Sequence, residues 1–137
     1  MSYAPAAALQ QAVYAHLTND VAVTTLLGPH IYDAMPVGTP PATYAILGAE
    51  DARDRSDCTG AGAQHNLIIS VLTEASGFHG AKQVAAAISD ALHNADLTLS
   101  RGQLIDLTFY RARAKLEGTG DKRRIDLTFR ARVDDTL

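Results

Sequence analysis

Ile105-Asp106-Leu107-Thr108-Phe109-Tyr110-Arg111-Ala112-Arg113 returns twenty residues later as Ile125-Asp126-Leu127-Thr128-Phe129-Arg130-Ala131-Arg132. Both stretches alternate apolar and polar side chains, the period of a strand with one buried face. Between them Glu117-Gly118-Thr119-Gly120-Asp121-Lys122 suits a hairpin connection. The reading is a long two-stranded ribbon with Ile105, Leu107, Phe109, Ile125, Leu127 and Phe129 facing inward. Asp106, Thr108, Asp126, Thr128, Arg130 and Arg132 face outward. Tyr110 is an insertion relative to the second copy, and it moves Arg111 and Arg113 to the opposite parity. A β-bulge near Tyr110 returns them to the polar face. The ribbon reads as a local hairpin whose similar halves fit one sheet. On a sharper reading its charged face also offers a surface for docking other chains.

Working outward, Ala6 to Leu17 carries an apolar stripe at helical spacing: Leu9, Ala12, Val13, Leu17, with His16 beside them. Pro5 fits a first helical turn. Asn19-Asp20 caps a short second helix, Val21 to Leu27, which Gly28-Pro29 closes. Ile31-Tyr32-Asp33 is extended, Met35 to Pro41 an irregular Pro-rich loop, and Ala42 to Ala49 an alternating strand. Glu50 to Ala63 mixes charges and glycines without apolar periodicity and reads as a long functional loop. Gln64 to Thr73 resumes as a strand with Leu67, Ile69 and Val71 inward. A helix from about Phe78 to His93 follows, with Asn94 as a left-handed stop and Leu97-Thr98-Leu99 as a short strand. The fold class is α+β: an antiparallel or mixed sheet of about 4–6 strands, helices on one side, and the long C-terminal hairpin. Residues 1–137 form a single domain with a flexible loop at about 50–63.

The net charge is −3, but residues 1–100 hold three basic residues against nine acids, whereas residues 101–137 hold nine against six. A chain so divided is poorly suited to wrapping nucleic acid, which needs a broad basic surface. It suits contact with copies of itself; equally, the charges solvate an outer face. No apolar run of about 18 residues is present to span a membrane. The N-terminal Met1-Ser2-Tyr3-Ala4-Pro5 lacks signal-peptide features, and a single Cys58 offers no internal disulfide. Both point to the cytoplasm.

Chemistry is sparse. His16, His30, His65, His79 and His93 form no close-spaced metal motif and read as surface or half-buried residues. Cys58 stands beside Asp57, whose charge disfavours a thiolate. Gly118-Thr119-Gly120-Asp121-Lys122 lacks the lysine spacing and the following helix of a phosphate loop. Lys122-Arg123-Arg124 lacks interleaved aromatics for stacking on bases. No catalytic, cofactor or metal site is expected.

The order of segments then becomes informative: Gly28-Pro29-His30-Ile31-Tyr32-Asp33-Ala34-Met35-Pro36, then Pro41-Ala42-Thr43-Tyr44-Ala45-Ile46-Leu47-Gly48, then Gln64-His65-Asn66-Leu67-Ile68-Ile69-Ser70-Val71. The Ala-rich helix Gly80 to Leu92 and the strand Leu127-Thr128-Phe129-Arg130-Ala131-Arg132 complete it. From about residue 7 to 133 this resembles the tail-completion, or tail-terminator, proteins of long-tailed phages and alphaproteobacterial gene transfer agents. One departure stands at Ala42-Thr43, which separate Pro41 from Tyr44 where the family often joins Pro and Tyr directly.

The resemblance implies a non-enzymatic part of the virion, assembled in the host cytoplasm. It implies a homo-hexameric ring on the head-proximal end of the tail tube that stops tube polymerisation. The ring joins the tail-tube protein to the head-side connector and lets DNA through its centre without sequence-specific binding. The residues agree: unlike charges within one chain suit heterologous contacts that close a ring, and polar strand edges suit docking. A predominantly acidic chain lines a channel without gripping DNA. The expected contact residues are Asp51, Arg53, Asp54, Arg55 and Asp57 of the loop, with Arg111, Arg113, Arg130 and Arg132 of the ribbon. Ile31, Tyr32 and Tyr44 are expected to belong to the core. Two alternatives stand beside this reading: a connector or tube subunit of the same particle, and a small enzyme using Cys58 or His79.

Overall fold

The computed structural model describes residues 3–35, 38–55, 62–118 and 122–135. Its elements are α1 (Ala6–Asn19), α2 (Val21–Leu27), β1 (Ile31–Tyr32), β2 (Thr43–Asp54), β3 (Gly62–Thr73), α3 (His79–Leu92), β4 (Gln103–Glu117) and β5 (Lys122–Asp134). The five strands form one sheet in the order β1-β2-β3-β5-β4. Only the β1–β2 pair is parallel; all others are antiparallel. This is the α+β class with a mixed sheet that the alternating segments predict.

Packing follows from parity. Odd-numbered residues of β3 and β5 face the helices: Leu67, Ile69 and Val71, and Ile125, Leu127, Phe129, Ala131 and Val133, all buried. Leu9, Val13 and Leu17 of α1, Val23 and Leu27 of α2, and Val84, Ile88 and Leu92 of α3 close the core from the other side. The central pair β3–β5 is registered without a slip from Gly62↔Asp134 to Thr73↔Arg123, which fixes every side chain's face along it.

Local signals act as expected at several joints. The Asp20 carboxylate accepts a hydrogen bond from the Val23 amide at 3.0 Å and so caps α2. Asn94 takes a left-handed conformation just beyond α3, at φ 60°. The bulge near Tyr110 is present: Phe109 pairs with Phe129, and Arg111 pairs with Thr128. Arg111 and Arg113 therefore share the polar face with Thr128 and Asp126.

The structure corrects other expectations. The Glu50–Ala63 loop is largely strand: β2 and β3 stay paired to Asp54↔Ala63. On the β2 side Asp51 to Asp54 are exposed or half-buried, so no apolar period reveals the strand, whereas Ala63 and His65 opposite are buried. Asp57 and Cys58 lie outside the described residues, as do Thr119 to Asp121 of the hairpin connection. Leu97–Leu99 forms no strand; Leu97 and Leu99 pack on the core from irregular chain. Of the inward row assigned to β4, only Leu107 is buried, while Ile105 is 48% and Phe109 38% exposed. A second bulge, between Leu104 and Asp106, displaces Ile105, and β4 lies at the sheet edge, where the end of α3 meets it around Leu107: the Asn94 amide donates to the Leu107 carbonyl and the Phe109 amide to His93 Nδ1. His65 is fully buried rather than superficial.

A charged, uncovered sheet face as candidate interface

Among the described residues, no helix or strand covers the face of the sheet away from the helices. Register defines its rows: Asp106, Arg132, Gln64 and Arg53 in one, Thr108, Arg130, Asn66 and Asp51 in the next. Arg111, Thr128 and Ile68 follow, then Arg113, Asp126 and Ser70, then Lys115, Arg124 and Leu72. With Glu117 and Lys122 at one end and Arg55 and Asp134 at the other, nine Lys or Arg side chains share this face with five Asp or Glu among the described residues. In a chain of net charge −3 the face is thus locally positive. It turns apolar only at one corner, where the buried Tyr44 meets the Tyr32 ring edge-on at 6.1 Å between centroids.

Two parts of the face are internally organised. The Asp126 carboxylate accepts from Ser70 Oγ at 2.7 Å and from Arg124 Nε at 2.8 Å. Arg124 also donates to Glu117 at 3.0 Å and to Ser70 Oγ at 3.1 Å, and Lys115 Nζ stands 3.8 Å from Asp126. Burial alone would raise the Asp126 carboxyl, but the Ser70 and Arg124 hydrogen bonds and the nearby cations outweigh it and hold it below its ordinary range. The Arg124 guanidinium is raised, first by its hydrogen bond to Asp126. Further along, Tyr110 lies over the Arg130 guanidinium, 3.5 Å from ring centroid to Cζ. Beside them Arg55, Gln64, Asp106, Thr108, Arg130 and Arg132 line an open depression of about 360 Å³. Arg132 Nη2 donates to the Arg55 carbonyl at 2.9 Å, tying the ribbon to the end of β2.

The expected contact residues are therefore partly brought together. Arg55, Arg130 and Arg132 meet at the depression. Arg111 and Arg113 lie along the same face on β4, exposed, and meet no carboxylate among the described residues. Asp51 and Arg53 share the face at the β2 end, 3.6 Å apart. Asp54 does not, because its partner Ala63 belongs to the helix-facing parity. Arg124, Lys115 and Tyr110 were missed. For Arg124 the signal was present in the alternation with Asp126, hidden by its place in the basic run Lys122-Arg123-Arg124.

On the helix side, His65 Nδ1 lies 3.1 Å from Glu50 Oε2, and Tyr3 stacks over its ring at 6.1 Å while donating to Glu50. This pins the N-terminal segment to the β2–β3 arm. No group of three or more His, Cys, Asp or Glu able to hold a metal occurs among the described residues. No helix of the described residues is long and apolar enough to cross a membrane.

A two-layer domain with a long, uncovered and charged sheet face is the architecture of a protein that packs against other proteins. Residues 11–134 match the family model described as Tail completion protein gp17. A chain of the solved structure "Virion of native gene transfer agent (GTA) particle" superimposes with a TM-score of 0.93 at 56% identity, covering 97% of this chain and 99% of that one. No curated protein sequence matches. The chain belongs to the tail completion protein gp17 family. It is a structural tail protein of a virion and not an enzyme.

Proposed function

We propose that this chain forms a six-membered ring on the head-proximal end of the tail tube, ends tube polymerisation there, and presents a docking surface to the head-side connector. The observation that carries this reading is the uncovered sheet face, with nine Lys or Arg beside five Asp or Glu in a chain of net charge −3. Unlike surfaces on one subunit favour heterologous contacts, and such contacts close into rings when the rotation allows. The 56% identity with a chain of a gene transfer agent virion supports a place in the particle itself. The number six rests on the family resemblance. Assembly takes place in the host cytoplasm, and DNA passes through the ring without sequence-specific contact.

The reading is tested by adding the purified protein to polymerising tail-tube subunits. Growth is expected to stop and mean tube length to fall as its concentration rises, while the protein alone forms no filaments. Long filaments of the pure protein would make it a tube subunit instead. Tubes that elongate unchanged in its presence would overturn the reading.

A further inference from the structure

The helical layer carries the charge opposite to the open sheet face. Along α1, α2 and α3, with the capping Asp20, the charged residues are Asp20, Asp90 and a single Lys82. Between α2 and α3 runs an open groove of about 410 Å³, floored by Ala22, Ala86, Ala87 and Ala91, with Asp20 and Asp90 on its rim. Asp20 uses Oδ1 to cap α2, and Asp90 is exposed with no partner among the described residues. Val21, beside Asp20, is 79% exposed.

Resting on the ring reading, we propose that the open sheet face of one copy is covered by the helical layer of the next, with Arg111 and Arg113 seated against Asp20 and Asp90 in the α2–α3 groove. Arg111 and Arg113 stand on one face of one strand, about 6.6 Å apart at Cα. Neither meets a carboxylate among the described residues of its own subunit. The alanine floor leaves room for their aliphatic stems, and the carboxylates take the guanidinium forks. Tyr110, 49% exposed and braced on Arg130, stands next to Arg111 and supplies the aromatic anchor such contacts favour. The sheet face and the helical layer lie on opposite sides of the domain, so the contact is head-to-tail and repeats from subunit to subunit. It also gives the sheet the second layer it lacks within the monomer.

The test is a charge exchange in particle-producing cells, scored by electron microscopy as head-bearing particles with tails of normal length. Arg111→Glu with Arg113→Glu is expected to lower their number about tenfold or more, and Asp90→Arg with Asp20→Asn likewise. Asn at position 20 keeps the helix cap. The four changes together are expected to restore assembly to within about threefold of wild type. All these side chains are superficial, so each purified variant should melt within about 3 °C of wild type. Should the Glu pair fail to fold, Arg111→Gln with Arg113→Gln is expected to show the same loss more weakly. Wild-type assembly by either pair, or no rescue by the four together, overturns this pairing and leaves the ring reading standing. Normal particles that fail only in DNA delivery overturn it too, because the face then lines the DNA path. Tails of normal length in cells lacking the protein overturn the ring reading itself.

Discussion

Asp126 shows how one residue on an open sheet face acquires structural weight. Its carboxylate gathers Ser70, Arg124 and Lys115, so removing its charge strands several donors. Asp126→Asn is expected to cost about 1–3 kcal/mol, read by denaturant unfolding at neutral pH. The pH dependence has a definite sign. The folded carboxyl is held below its ordinary range, so its contribution is complete above about pH 4 and is lost as pH falls through the lowered folded value. The stability gap between wild type and Asp126→Asn should therefore narrow on acidification from pH 5 to pH 2, and a gap that widens would contradict the assignment. Gly102 is a second sensitive position. It has φ +77°, and an added Cβ would stand 2.8 Å from the Asp134 carbonyl oxygen and 3.2 Å from Pro5. Gly102→Ala is expected to cost about 2 kcal/mol, measured the same way. Neither contribution stood out in the sequence: Gly102 acts through Asp134, thirty-two residues on, and Asp126 through Ser70, fifty-six residues back, as well as through its near neighbours Arg124 and Lys115. His65 was unreadable because it is a polar side chain on the helix-facing parity of β3, between Ala52 and Ala131, with no apolar signal of its own.

Among elements, legibility tracked burial. β5 lies between β3 and β4 with one face on the core, so its strict alternation from Ile125 to Val133 could be read residue by residue. β4 repeats much of that sequence, yet Ile105 and Phe109 are exposed, because β4 is an edge strand with two bulges that the helical layer covers at Leu107. The bulge at Tyr110 was nevertheless visible, since only an extra residue could reconcile Arg111 and Arg113 with the polar face. It makes a prediction about the element. Tyr110 has no ladder partner, and Phe109↔Phe129 and Arg111↔Thr128 would become consecutive pairs without it. Deleting Tyr110 should therefore leave a folded protein, melting about 5 °C lower at most for the lost Arg130 stacking. Loss of folding by circular dichroism would show that the bulge is required. The end of β2, Asp51 to Asp54, escaped recognition because its residues are exposed or half-buried and display no apolar row.

For the whole molecule, the uncovered sheet face holds an excess of cations, while the helical layer carries Asp20, Asp90 and Lys82. The sequence already showed the cations as a contrast between residues 1–100 and 101–137, and the fold gathers most of the basic residues of 101–137 on that face. Contacts between such faces are partly electrostatic, so capped tails should lose this subunit as salt rises toward about 1 M, where the screening length is roughly 3 Å. Sedimentation of tails at graded salt, probing for the subunit, measures this. The family and the open face define a tail structural protein, and the central proposal is that it ends tube growth. The most direct test is tail length by electron microscopy in particle-producing cells lacking the protein. The account predicts tails of variable, excessive length without heads. Tails of normal length that merely lack heads would contradict it and assign the chain to the head-side joint instead.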